Sequence, residues 1–89
     1  MSQAVRRYLV LAMRTAAFDE RVIAPHLAFL DELRAAGSLM MTGGFTDLSG
    51  GAYVLENLAS IDEARAIASR DPLNQGGASI LTVHEWNTR

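Results

Sequence analysis

Apolar and polar positions change their spacing several times along the chain, and each change marks an element. Residues 7–14 (RYLVLAMR) form a short apolar run between charges. Tyr8, Val10 and Ala12 share one alternating face, and Leu9, Leu11 and Met13 share the other. Both faces are apolar, which predicts a strand buried on both sides, one against helices and one against a partner sheet or a cavity. Residues 15–24 read as a loop carrying Phe18, Asp19, Glu20 and Arg21. Pro25 then opens a helix, where its missing N–H costs nothing. Leu27, Leu30 and Leu33, with Phe29 alongside, supply the helical period, and Gly37 is the expected residue just past its end.

Residues 39–45 and 52–58 read as two further strands. Between them Asp47-Leu48-Ser49-Gly50-Gly51 supplies turn chemistry, so a hairpin is expected. Ser60-Ile61-Asp62-Glu63 has the form of a capping box. The helix it opens turns Ala64, Ile67 and Ala68 inward and stops near Arg70, because a residue before proline, here Asp71, is pushed out of the α region. Asn74-Gln75-Gly76-Gly77 reads as a mobile stretch before a last strand over residues 80–86. Met40-Met41 reads as adaptable core packing. The order β-α-β-β-α-β predicts one domain over residues 1–89. Its expected class is α+β, a ferredoxin-like fold with a four-stranded antiparallel sheet and two helices on one face.

Composition narrows the chemistry. An 89-residue chain buries a modest share of its surface, so dimerisation would help it. Net charge is −2 and the eight basic residues, all arginine, are scattered, which argues against nucleic acid and against a membrane surface as partners. With no cysteine and no lysine, thiolate and Schiff-base chemistry are excluded. Two histidines are too few for a three-histidine zinc site within the chain. The first residues read as a strand rather than a leader, and the expected location is the cytoplasm.

Two polar groups stand on apolar helix faces, where burial is costly without a partner. His26 lies three, four and seven residues from Phe29, Leu30 and Leu33; Asp71 follows Ile67 and Ala68 by four and three. The topology brings them together. The first helix starts, and the second ends, at the end of the sheet where the first strand finishes with Arg14 and where the hairpin from Phe45 to Gly51 lies. His84 and Trp86 fall at the opposite end. A carboxylate beside an imidazole fixes its tautomer, so the pair can serve as a base with its orienter. The plainer alternative is a structural contact that ties two helix ends together. A metal site from His26, Asp71 and Asp19 or Glu20 is a weaker alternative, and neither a metal nor another cofactor is expected. Arg14 and Phe45 are the candidate substrate-binding residues. Tyr8 and Tyr53 are expected to pack, facing the space between paired sheets, and His84 to line an interface.

At these same residues the chain resembles the YCII-related (YciI-like) family of the dimeric α/β-barrel type, from about Tyr8 to Trp86. The matching pieces are Pro25-His26-Leu27-Ala28-Phe29-Leu30, Gly37 and the strand after it, Gly43, the acidic second helix, and Asp71-Pro72 with glycines a few residues on. The resemblance implies that His26 and Asp71 form the catalytic pair and that the open sheet faces pack into a homodimer. It also implies a small-molecule substrate, with one branch similar to dehydrochlorinases acting on chlorinated aromatic diols and other members resembling regulatory or binding modules. Three departures bear on anion binding more than on the fold. Ile23 stands where many members carry arginine, Gly43-Gly44 replaces Gly-Pro, and Leu73 replaces an aromatic. The expected function is therefore a cofactor-free lyase or isomerase. The alternative is a non-catalytic binding or regulatory module.

Overall fold

A computed structural model describes residues 4–89; the expected domain also includes residues 1–3, which lie outside the described residues. The chain runs β1 (Val5–Arg14), α1 (Ile23–Ala35), β2 (Leu39–Gly44), β3 (Gly50–Leu55), α2 (Ile61–Ser69) and β4 (Ser79–Thr88). The strands form one antiparallel sheet in the order β2-β3-β1-β4, with the helices on one face. This is the expected ferredoxin-like α+β fold.

Register divides the apolar residues of β1. Tyr8 pairs with Leu55, Val10 with Tyr53 and Val83, and Ala12 with Gly51 and Leu81. Residues directly opposite in a ladder share a face, so these line the side beneath the helices. Tyr8, Val10, Tyr53 and Leu55 are buried there with Leu30 and Leu33 of α1 and Ala64, Ile67 and Ala68 of α2. Leu9, Leu11 and Met13 point the other way, opposite His84, Thr82 and Ile80. No helix covers that side, and its apolar residues stay half-buried or exposed apart from Val54. Tyr8 and Tyr53 thus face the helices and not the open side, because alternation sets them with Val10. His84 is on the open face, as its own alternation predicts.

Several local expectations change in detail. Asp19 accepts a hydrogen bond from the Arg21 N–H and starts a 3-10 turn, Glu20–Val22, that leads straight into α1. Pro25 is therefore the third residue of α1, still within the first turn, where its missing N–H is harmless. Met40 and Met41 are exposed rather than core: β2 is an edge strand, and an irregular register between Leu39 and Met41 leaves only Leu39 buried. Ser60 does cap α2 through the Glu63 N–H, while Glu63 reaches back to the N–H of Ala59. The stretch expected to be mobile is built as short helical turns, Pro72–Gly77, and Asn74 donates through Nδ2 to the Ala68 carbonyl at 2.7 Å. Among the described residues no helix is long and apolar enough to cross a membrane.

Candidate functional site

The site begins with a backbone constraint. Asp71 precedes Pro72 and sits in the extended region (φ −65°, ψ 127°), which ends the helical run of α2. Its carboxylate caps the following turn, with Oδ1 2.9 Å from the Leu73 N–H. The same oxygen lies 2.8 Å from His26 Nδ1, in the first turn of α1. The other oxygen, Oδ2, accepts from the Tyr53 hydroxyl at 2.8 Å. Asp71 is 2% exposed, so a buried carboxylate is satisfied by a histidine, a phenol and a backbone amide at once. An ionised carboxylate has no proton to give, so Nδ1 of His26 is the donor toward Oδ1, and in the neutral ring the lone pair is then on Nε2. Among the described residues Nε2 has no hydrogen-bond partner, and the ring is 14% exposed.

That ring borders a cavity of about 240 Å³ between α1 and the end of the sheet where β1 finishes. An apolar cavity of roughly 150 Å³ takes benzene, so this one has room for a single substituted ring. Ile23, Leu27, Leu30 and Leu73 give it an apolar wall, while Thr42 and Ser79 bring hydroxyl side chains to its lining. Leu27, placed by its spacing in the helical core stripe, is instead 53% exposed and lines this cavity. Part of the sheet beneath the cavity carries no side chains. Gly43, Gly44, Gly50 and Gly51 contribute to the lining. A Cβ at Gly51 would come within 2.5 Å of the Gly43 carbonyl oxygen, so close strand approach requires glycine there; one at Gly44 would meet nothing nearer than 3.9 Å.

Arg14 also reaches the cavity from the end of β1, and its guanidinium lies 4.0 Å from the centre of the Phe18 ring. Stacking on an aromatic face restrains the arginine without neutralising it. Among the described residues no carboxylate pairs with Arg14. Phe45 is not brought to the cavity: β2 has ended at Gly44, which occupies the covered-face position, and Phe45 is exposed at the hairpin. Asp19 and Glu20 do not join His26 and Asp71. Asp19 turns to Arg21, with contacts of 2.6–3.2 Å that hold its carboxyl down to a pKa of about 2, and no group of three metal-ligating side chains forms among the described residues.

Sequence reasoning assigned Tyr53 to packing and gave Phe18 no role. A signal for Tyr53 was present. It alternates with Leu55 on a strand rich in apolar residues, and a buried phenol needs a partner. Burial, and secondarily the Asp71 charge, push its pKa well above the usual phenol value, so the hydroxyl stays protonated as a donor.

The comparisons agree with this architecture. The YCII-related domain model matches residues 7–87. An uncharacterised protein, YjpA of Bacillus subtilis (strain 168), is 46% identical over 82 residues, covering 92% of this chain and 95% of YjpA. Among solved structures, 5-chloro-2-hydroxyhydroquinone dehydrochlorinase (TftG) of Burkholderia phenoliruptrix AC1100, in complex with 2,5-dihydroxybenzoquinone, superposes with a TM-score of 0.71. It is 24% identical, and the match covers 90% of this chain and 92% of TftG. At that identity the structural likeness speaks for the fold, while the domain match and the sequence relative together show that this chain belongs to the YCII-related family.

Proposed function

We propose that this chain is a cofactor-free enzyme of lyase or isomerase type, acting on a small oxygenated aromatic molecule by proton abstraction at His26. One observation carries the reading: Nδ1 of His26 is held 2.8 Å from a buried carboxylate while Nε2 is left without a partner on a ring that borders a cavity. Asp71 fixes the ring and its tautomer and compensates the charge that appears when Nε2 takes a proton. In an elimination from the keto tautomer of a hydroxylated ring, where the carbon bearing the leaving group is tetrahedral, Nε2 takes the proton of a remaining ring hydroxyl. The O–H electron pair becomes a carbonyl, the ring double bond shifts to the carbon bearing the leaving group, and that group departs with its own bonding pair, leaving a quinone. Arg14, restrained by Phe18, meets anionic oxygen on the substrate. The ligand bound to TftG, a hydroxylated quinone, supports the choice of a flat oxygenated ring.

The open sheet face supports a homodimer in the same proposal. Met13, Met41, Ile80 and Trp86 are exposed large apolar side chains, and register places all four on that face. A second copy packed against it would bury them.

The test is a panel of chlorinated and hydroxylated benzenediols and quinones, scored for both melting shift and product. The expected result is turnover by the wild type that falls roughly 10²–10⁴-fold in His26→Ala, with a comparable direction in Asp71→Asn. Undiminished turnover in both variants sinks the catalytic assignment. A melting shift with no product from any compound would instead make the cavity the site of a binding or regulatory module, since a ligand that binds only the folded state stabilises it.

A further inference from the structure

Tyr53 has no part in the proton transfer just described, yet it is among the most deeply buried side chains and its hydroxyl is spent on one partner, Asp71 Oδ2 at 2.8 Å. A carboxylate on a single-bonded Cβ turns easily, because the terminal torsion of aspartate is broad. Were it free to turn, either oxygen could approach His26, at varying distance. Two donors remove that freedom. The Leu73 N–H holds Oδ1 from below the turn and the Tyr53 hydroxyl holds Oδ2 from the sheet. These arrive from different elements, the Pro72–Gly77 turn and β3, so the plane of the carboxylate is set by the tertiary fold. Tyr53 itself is fixed by its ladder partners Val10 and Thr42 on either side. Its ring centre lies 6.1 Å from that of His26 at 44°, so it also bounds the space the imidazole can occupy.

We infer that Tyr53 is a positioning residue that, by anchoring Asp71 Oδ2 while Leu73 anchors Oδ1, locks His26 into the tautomer with the proton on Nδ1 and the lone pair on Nε2. The inference rests on the proposed role of His26 for its catalytic meaning, but the lock itself is a property of the resting protein. Tyr53 differs in this from Tyr8, which is equally buried and makes no side-chain hydrogen bond among the described residues.

The experiment reads the tautomer directly. Protein labelled with 15N histidine is examined by long-range 15N–1H correlation at alkaline pH, where the two ring nitrogens of a neutral imidazole are well separated. The exposed His84 serves as the internal reference. In the wild type His26 is expected almost wholly as the Nδ1–H form. In Tyr53→Phe, which keeps the packed ring and loses only the donor, the Nδ1–H share is expected to fall at least several-fold, with the His84 pattern unchanged. A wild-type His26 in the Nε2–H form, or a Tyr53→Phe pattern identical to wild type, overturns the inference. Should the variant not fold, 3-fluorotyrosine incorporated in place of tyrosine alters donor strength at constant shape. The Nδ1 proton resonance of His26 must then move, and a stationary resonance overturns the inference. Once a substrate is in hand, Tyr53→Phe should lower kcat with KM nearly unchanged. Failure of the tautomer lock leaves the His26 variants of the turnover test to decide catalysis independently.

Discussion

The two faces of one sheet are built from the same strand in opposite ways. Beneath the helices, Tyr8, Val10, Tyr53 and Leu55 are closed off from water within the chain. On the other side Leu9 and Leu11 are half-buried and Met13 and Ile80 exposed, although β1 is as apolar there. An apolar residue stabilises a fold only through surface it removes from water. The covered face is therefore where this chain's stability resides, and the open face contributes little to it within one chain. The covered face divides again. One part is packed, and the other, where glycines interrupt the side chains of the sheet, has a cavity above it. The same layer of helices thus closes a core at one end and shelters the His26–Asp71 site at the other.

The largest effect should separate the two faces outright. Leu55→Ala, at a position with no exposed surface, should cost roughly 2–5 kcal/mol, whereas Leu11→Ala on the open side should cost about 1 kcal/mol or less in the isolated chain. Urea denaturation of both variants at low protein concentration checks this, and equal losses would break the comparison. Next is association. Ile80→Arg, at a side chain 63% exposed within the chain, should leave the circular dichroism spectrum intact and weaken a homodimer at least tenfold in sedimentation equilibrium. A wild-type protein that sediments as a monomer would rule out the proposed homodimer.

Within the covered face, Gly44→Val adds a side chain where a Cβ finds no neighbour nearer than 3.9 Å. It should weaken binding of a ring-sized ligand at least tenfold by calorimetry while changing stability by only about 0.5 kcal/mol, as surface-type changes do. A large loss of stability with binding retained would mean that the glycine floor serves packing and not the cavity. The smallest effect is electrostatic. The Tyr53 phenol titrates above its unfolded value of about 10. Above that pH the unfolded chain loses this proton first, so stability falls as pH rises, by at most about 1.4 kcal/mol per unit. The contribution is whole below pH 10 and shrinks above it. Melting temperatures of wild type and Tyr53→Phe between pH 8 and 11.5 should therefore converge at the alkaline end, and parallel curves would contradict the buried donor.

Much of this was readable from local patterns because the physics involved is local. The period of α1, the Ser60 cap of α2 and the stop at Asp71-Pro72 each depend on a few neighbouring residues, and connection rules then put His26 and Asp71 at one end of the layer. Local reasoning failed where the deciding neighbour was distant in sequence. Met40 and Met41 look like core until β2 is seen at the sheet edge, and Phe45 looks like a pocket residue until Gly44 takes the covered position.

The sequence alone thus determined the element order, the two-sided apolar strand and the convergence of a histidine with an aspartate, since these follow from spacing and chain direction. Only the tertiary structure decided what else Asp71 would meet. Its three partners come from α1, β3 and its own turn, separated by up to 45 residues, and strand register chose Tyr53 as one of them. A one-residue shift of that register would have turned the phenol to the open face and left a buried carboxylate oxygen without its donor.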